Sequence, residues 1–227
     1  MDNSARFLDL LNFMAVLILS VAFHEAAHAW LADRFGDDTP RTHGRMTFNP
    51  FAHVHPIMTI ALPAYFYWTS GMVLFMATTP VRPWQMRRPR LHGMLTALGG
   101  PAASLLLGIA CFIAMIVFVV AIGGTGPGVG PGRTTALRLL HLAVLLNVFG
   151  AFFNLLPVPP LDGSSILEFF LPRRFLPAWE AYRSYSWIVF AVLIFTGVLD
   201  RLLGPVMVVT RDLVDLGVAL GNWIARG

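Results

Sequence analysis

The sequence predicts an all-α integral membrane protein, a polytopic helix bundle with one short β-hairpin or re-entrant element. Of its 227 residues, 56% are apolar and 12% are charged, and the mean hydropathy is +0.68. This profile is typical of a protein embedded in lipid rather than of a soluble domain. The apolar residues form long runs separated by short arginine-bearing loops, so a single transmembrane domain covering residues 1–227 is expected.

Composition also excludes some classes of function. The net charge of +4 does not indicate a nucleic-acid partner, because clustered arginines between apolar runs act as topology signals at a membrane surface. Cys111 is the single cysteine of the chain and cannot form an internal disulfide. The expected surroundings are therefore the lipid bilayer and other membrane proteins.

Four apolar runs are expected to cross the bilayer as helices. The first has 25 residues, enough for a hydrocarbon core of about 30 Å. The second carries small residues at 99–104, which let another backbone approach closely, and the third ends in a proline-rich stretch that stops regular helix. The predicted spans are residues 8–32, 91–123, 135–156 and 187–203.

The end of the chain has a different pattern. Residues 204–223 are apolar but carry Arg211, Asp212 and Asp215 among the apolar positions. Charges interleaved in this way favour an amphipathic helix that lies in the membrane interface rather than a further span.

Two loop regions predict less regular structure. Turn-forming residues in 33–56 favour a short extended hairpin at the membrane edge, with a strand edge in 44–56 or 74–83. Residues 57–79 are apolar but broken by Pro63 and Gly71. A re-entrant hairpin is the preferred interpretation, and a full span is the alternative.

Arginine counts predict the orientation. Loops 34–45, 82–90 and 173–183 hold three, four and three arginines, whereas loop 124–134 holds one. The positive-inside rule places the first three loops in the cytoplasm. Because 34–45 and 82–90 then share a side, 57–79 must enter and leave the membrane on that side.

The segment His24-Glu25-Ala26-Ala27-His28 lies inside the first apolar run. Histidines at i and i+4 share one face of a helix and can bind one metal ion, as in the HExxH pattern. Glu25 is placed to act as a base on a metal-bound water. Ionisable groups at membrane depth are costly and indicate function.

A catalytic zinc usually takes three protein ligands and keeps one position open for water, so a third ligand is needed for one Zn²⁺ per chain. Asp162 is the preferred candidate, because it follows a proline-broken apolar run that can bend and direct the carboxylate inward. The competing candidates are Glu168, Glu180, His43, His53 and His55.

These residues carry a family resemblance over roughly residues 13–170. His24–His28 in a membrane helix, Gly100-Pro101 in a later one, and Asn154 through Asp162-Gly163 in a third resemble the site-2 proteases. The segment 48–53 and Pro80-Val81 resemble the compact bacterial and archaeal members that lack a PDZ or nucleotide-sensing domain. The resemblance implies an intramembrane zinc metalloprotease that cleaves within or near transmembrane segments of membrane proteins.

The resemblance also implies roles for single residues. His24, His28 and Asp162 would bind zinc, and Glu25 would be the general base. Asn154 resembles a residue thought to face the scissile peptide and steady its oxyanion; a helix–helix hydrogen bond is the alternative. Where the family often has asparagine after Gly-Pro, this chain has Ser104, which can still donate one hydrogen bond to a substrate.

The same resemblance sets expectations for location and partners. A multi-pass protein of a prokaryotic cell membrane is expected, with the active site nearer the cytoplasmic side and the re-entrant element close to it. The expected partner is a substrate transmembrane helix that must unwind locally, and pairing as a strand is one way to do so. At His55 the family stretch has aspartate, and an interfacial histidine on a turn is the preferred interpretation.

Two other classes of function compete with a protease. A non-proteolytic membrane chaperone or binding protein could use the same scaffold, although such proteins usually lose one of the catalytic residues. A metal transporter would need polar residues spread along a pathway, whereas the ionisable residues within these spans collect at one depth. The sequence does not indicate an oligomeric state.

Overall fold

The computed structural model describes residues 3–70, 79–126 and 129–226. Three short helical turns connect longer helices at Pro50–Ala52, Pro83–Gln85 and Arg173–Phe175, and a π-helical turn covers Pro56–Ala61. The α-helices are α1 (Asn3–Phe35), α2 (Thr39–Thr42), α3 (Leu62–Ser70), α4 (Pro89–Ala121), α5 (Pro131–Asn154), α6 (Asp162–Phe170), α7 (Leu176–Phe195) and α8 (Val198–Ile224).

Helices α1, α4 and α5 overlie the predicted spans 8–32, 91–123 and 135–156, and each is long and apolar enough to cross a membrane. Helices α4 and α5 begin at Pro89 and Pro131, where a residue without an N–H costs no hydrogen bond. Pro101 lies inside α4, yet the helix continues through it. The chain is therefore a helical multi-pass membrane protein.

Helix α4 lies at the centre of the bundle and packs against α1, α5, α6 and α8. One buried cluster joins Phe13 and Leu17 of α1 to Leu146 of α5. A second joins Met115 of α4 to Val144 of α5 and Val214 of α8. Large apolar side chains remain exposed on the outer faces, as expected where lipid covers the protein.

The predicted β-hairpin within residues 33–56 is wrong. No strand occurs in the described ranges 3–70, 79–126 and 129–226. Pro50 and Pro56 cannot donate to a strand ladder, and each begins a helical turn instead. The Asn49 side chain accepts a hydrogen bond from Phe51 N, 3.1 Å away, which caps the first turn. Residues 74–78 of the alternative strand edge lie outside the described residues.

The arginine-rich loops 34–45 and 82–90 lie at the same end of the bundle. The Asp37 carboxylate accepts hydrogen bonds from the backbone N–H groups of Thr39 and Arg82, and Arg87 N donates to Phe35 O across 3.1 Å. These bonds join the end of α1 to the approach to α4.

Helix α3 extends from this region toward the opposite end of α1. Tyr67 stacks on Phe13 with ring centroids 4.9 Å apart, and the Arg6 guanidinium lies 5.5 Å from the centre of the Trp68 ring. The chain is next described at Thr79, beside Glu25. Residues 71–78 lie outside the described residues, so the re-entrant course of 57–79 stays a prediction.

The predicted last span at 187–203 is not one continuous helix. Helix α7 ends at Phe195 and α8 begins at Val198, with a bend of 64° between them. Gly197 at φ 69° provides the left-handed conformation that the break requires, which glycine adopts without a steric cost. The predicted span is therefore divided between two helices.

The predicted amphipathic tail 204–223 belongs to α8 and packs along the bundle. A Cβ added at Gly217 would lie 2.5 Å from the Phe112 ring, and one at Gly221 would lie 2.8 Å from the Val119 side chain. The absence of a side chain at these two positions brings α8 directly against α4. The outer face of α8, with Leu213 and Leu216, stays exposed.

Candidate metal centre

Helix α1 brings three polar residues into the interior of the bundle. His24, Glu25 and His28 are 8%, 5% and 7% exposed, although apolar residues surround them in sequence. The two histidines are one turn apart on the same face, and their Nε2 atoms lie 3.1 Å from each other. The predicted pair therefore faces one point in space.

Asp162 reaches that point from the other side. It is the first residue of α6 and follows the proline-rich turn that ends α5. Its Oδ2 lies 3.2 Å from His24 Nε2 and 3.3 Å from His28 Nε2. A Cβ at Gly163 would collide with the Leu155 carbonyl, so glycine is required where α6 folds back against the end of α5.

These three atoms fit a catalytic metal. They form a nearly equilateral triangle with edges of 3.1–3.3 Å. Around a tetrahedral zinc with bonds of about 2.0–2.1 Å, ligand atoms are about 3.3–3.4 Å apart. Within the described part of the chain, these residues are the one such group of three possible ligands. Three vertices would be protein atoms, and the fourth would remain open.

The Nδ1 atoms of both imidazoles, which point away from the centre, also have hydrogen-bond partners. His28 Nδ1 lies 2.7 Å from the Thr96 carbonyl oxygen; because a carbonyl can only accept, this nitrogen carries the proton and leaves the Nε2 lone pair free in the neutral ring. His24 Nδ1 lies 3.0 Å from Ser104 Oγ. Such outer partners orient histidine ligands and fix their tautomer.

Ser104 was assigned a substrate contact from the sequence, and the structure gives its hydroxyl a different neighbour. The side chain is 4% exposed and contacts His24. Contact with a substrate stays a prediction.

One face of α4 packs against the two imidazoles. Thr96, Gly100 and Ser104 recur every four residues and so lie on this face. A Cβ at Gly100 would collide with the Nε2 atom of His28 and would lie 2.5 Å from that of His24. Glycine at this position lets the two imidazoles approach the α4 backbone. The spacing of these three residues was a readable signal for the outer partners, which the sequence reasoning missed.

Glu25 does not belong to the triangle of possible ligands. Its Oε2 accepts a hydrogen bond from the Thr79 hydroxyl across 2.6 Å. Among the described residues, Thr79 is the one hydrogen-bond donor to this carboxylate. No sequence pattern indicated Thr79, which is 54 residues away along the chain.

A cleft of about 530 Å³ opens from the centre. Asn154 lines it, and its Nδ2 donates to the Gly150 carbonyl oxygen across 2.9 Å. An amide nitrogen has two protons, so one remains for another acceptor. The proposed oxyanion role of Asn154 stays a prediction. The outer part of the cleft is lined by Trp84, Arg90, Glu168, Glu180 and Arg183.

The competing ligand candidates lie elsewhere. The Glu168 carboxylate pairs with Arg183 at 3.0 Å and accepts from the Trp179 indole at 3.1 Å. Glu180 is exposed on α7. The rings of His43 and His53 bond backbone carbonyls in their own loop. His55 caps the π-helical turn through its Nδ1, which agrees with a histidine on a turn.

Comparison with known proteins finds a peptidase family and related proteins that are named zinc metalloproteases. The family model described as "Peptidase family M50" matches residues 130–197. The "Putative zinc metalloprotease YwhC" of Bacillus subtilis (strain 168) is 34% identical over 90% of this chain and 90% of its own length. The "Putative zinc metalloprotease Rip2" of Mycolicibacterium smegmatis is 28% identical over 81% of this chain, which spans 66% of that relative. No solved structure matches the chain significantly.

Proposed function

Because this chain belongs to peptidase family M50, the site-2 protease family, we propose that it cleaves peptide bonds inside the membrane. Its substrates are membrane proteins, cut within or near a transmembrane segment. Membership in this family identifies the chain as a membrane-embedded zinc metalloprotease. The observation that carries the finer proposal is the convergence of His24, His28 and Asp162 inside a bundle of membrane-spanning helices.

The depth of the centre supports cleavage within the bilayer. His24 lies eight residues before the end of the predicted span at residue 32, or about 12 Å along the helix axis at 1.5 Å per residue. The hydrocarbon core is about 30 Å thick, so a site about 12 Å from the end of the span lies within it. The arginine-rich loops lie at that end, which favours an active site nearer the cytoplasm.

The zinc site is assigned to three residues of this chain. The related proteins are named zinc metalloproteases, and zinc is accordingly the cofactor. His24, His28 and Asp162 would hold it. When bound, zinc polarises the scissile carbonyl and makes a water molecule more acidic.

Glu25 performs the proton transfers in this proposal. It takes a proton from the attacking water as the water oxygen adds to the peptide carbon. It then gives a proton to the nitrogen of the leaving amine, and the C–N bond breaks to yield a carboxylic acid and an amine. The Glu25 side chain is 5% exposed and lines the cleft, where it can contact the attacking water.

Substrate contacts are assigned to the cleft beside the centre. In this proposal, Asn154 donates to the oxyanion through the amide proton that it does not use within α5. A substrate helix must unwind before its peptide bond can react, because its carbonyls are engaged in helical hydrogen bonds. The non-helical residues 79–82, which border the cleft, are the part of the chain proposed to receive the unwound segment.

The test uses purified protein in liposomes with tagged single-span peptides whose transmembrane segments contain glycine and proline. The wild type should bind about one zinc per chain and cleave the peptides. Glu25→Gln keeps the side-chain shape but removes the base, so zinc should be retained while cleavage falls at least about 1,000-fold. Glu168→Gln, a carboxylate change in the same cleft, is the matched control and should retain activity.

Two outcomes would contradict the proposal. Near-normal cleavage by Glu25→Gln would place the base elsewhere. Wild-type protein that holds zinc and binds the peptides without cutting any of them would favour the alternative, a non-proteolytic chaperone or binding protein on the same scaffold.

A further inference from the structure

The Thr79 hydroxyl donates a hydrogen bond to the Glu25 carboxylate. The proton transfers described above do not themselves require this contact. The Thr79 hydroxyl lies 2.6 Å from Glu25 Oε2 and 3.3 Å from the Glu25 carbonyl oxygen. An O–H to carboxylate distance of 2.5–2.7 Å is typical of a strong charge-assisted hydrogen bond. Glu25 is 5% exposed, so water does not compete freely for the same oxygen.

We propose that Thr79 is a positioning residue for the general base. This inference rests on the proposed function. A carboxylate has two oxygens, and a proton acceptor needs only one of them. By fixing Oε2, the Thr79 hydroxyl prevents rotation of the carboxylate and leaves Oε1 to accept the proton of the attacking water.

The position of Thr79 in the chain gives this contact a second consequence. Thr79 lines the cleft together with Val81 and Pro83 and is the first of the residues proposed to receive the substrate. The backbone N–H of Arg82 in turn donates a hydrogen bond to the buried Asp37 carboxylate. The segment therefore connects the cleft wall to the base, and a substrate lying along it contacts the element that orients Glu25.

The experiment compares Thr79→Val, which removes the hydroxyl, with Thr79→Ser, which keeps it. Hydrogen bonds to charged groups have an energy that corresponds to about a 10- to 100-fold change in rate. Thr79→Val should lower kcat by this factor with little change in KM, and Thr79→Ser should restore most of it. Zinc content should stay at about one per chain. Thr69→Val is the matched control, because the partner of the Thr69 hydroxyl among the described residues is a carbonyl oxygen of its own helix.

A double-mutant cycle separates positioning from a general structural role. Glu25→Asp shortens the side chain, so its carboxylate no longer reaches Thr79. Adding Thr79→Val to that variant should cost less than about twofold in kcat, because the interaction is already lost. The same cycle, measured by the thermal unfolding midpoint of metal-free protein, should show the same lack of additivity.

The alternatives are distinguishable. If the wild type does not cleave, the proposed function fails and not merely the role of Thr79. If the wild type cleaves and Thr79→Val is equally active, the positioning role is overturned. It is also overturned if Thr79→Val loses zinc, if Thr79→Ser fails to rescue, or if the losses in the cycle simply add.

Discussion

Glu25 and Asp162 are both acidic residues of the centre, and their surroundings give them different roles. Asp162 Oδ2 lies within 3.3 Å of both histidine Nε2 atoms, so it completes a set of possible ligands. Glu25 is held by a threonine hydroxyl instead and lies outside that set. The separation follows from the helix, since a residue at i+1 points about 100° away from the histidine before it.

Replacement of Asp162 by alanine should abolish tight zinc binding. The substitution removes a ligand, so the loss should exceed the 10- to 100-fold that is typical of an outer hydrogen-bond partner. Zinc affinity is measured on purified protein by competition with a chelator of known affinity. Glu168→Ala is the matched control, and a larger zinc loss in that variant than in Asp162→Ala would refute the assignment.

At the scale of elements, α6 is short and is fixed at both ends. The proline-rich turn precedes Asp162 at its start. At its end, Arg90 Nη2 donates to the carbonyl oxygens of Glu168, Phe169 and Leu171 at 2.6–3.2 Å, which satisfies groups that a helix terminus otherwise leaves without partners. An element of nine residues thereby gains the rigidity needed to place one ligand.

Residues 57–79 are predicted to be re-entrant, so the loops on either side should face the same compartment. Single cysteines at Thr42 and Gln85, introduced in a Cys111→Ala background, should react with a membrane-impermeant thiol reagent from the same face. A cysteine at Thr134, across the single span of α4, should react from the opposite face. Labelling of positions 42 and 85 from opposite faces would require a full span at 57–79.

At the scale of the whole molecule, the metal centre connects distant parts of the bundle. Two of the proposed ligands come from α1 and one from α6, and both helices pack on α4. Zinc bound there would therefore stabilise the arrangement of three helices, because an ion that binds only the folded state shifts the unfolding equilibrium.

Removal of zinc should accordingly lower the unfolding temperature of the wild type. At a free zinc concentration 100 times Kd, the lost stabilisation is about 2.7 kcal/mol. Thermal unfolding is measured in detergent with and without a chelator. The chelator should shift Glu168→Ala as it shifts the wild type but have little effect on Asp162→Ala; an equal shift in all three would mean that the ion acts elsewhere.

Several features of this protein were readable from local sequence. Apolar length predicted helices α1, α4 and α5, because a backbone in lipid must satisfy its hydrogen bonds internally. The spacing of His24 and His28 predicted a shared helix face, and Asp162 was recognisable from its position after the proline-rich turn.

Other features depended on contacts between distant residues. The hydrogen bonds of His24 to Ser104 and of His28 to the Thr96 carbonyl oxygen form because α4 packs against α1. The hydrogen bond from Thr79 to Glu25 joins residues 54 positions apart. The close packing of α8 on α4 at Gly217 and Gly221 likewise joins distant residues, and the break at Gly197 divides the predicted span between α7 and α8.

The sequence by itself thus determined that the long apolar segments form α1, α4 and α5 and which residue types are candidates for the chemistry, because hydrophobic length and helical spacing are local properties. Tertiary structure decided which oxygen or nitrogen each polar group contacts. These outcomes depend on how closely two backbones approach, as at Gly100 beside both histidines, and no local pattern contains that distance.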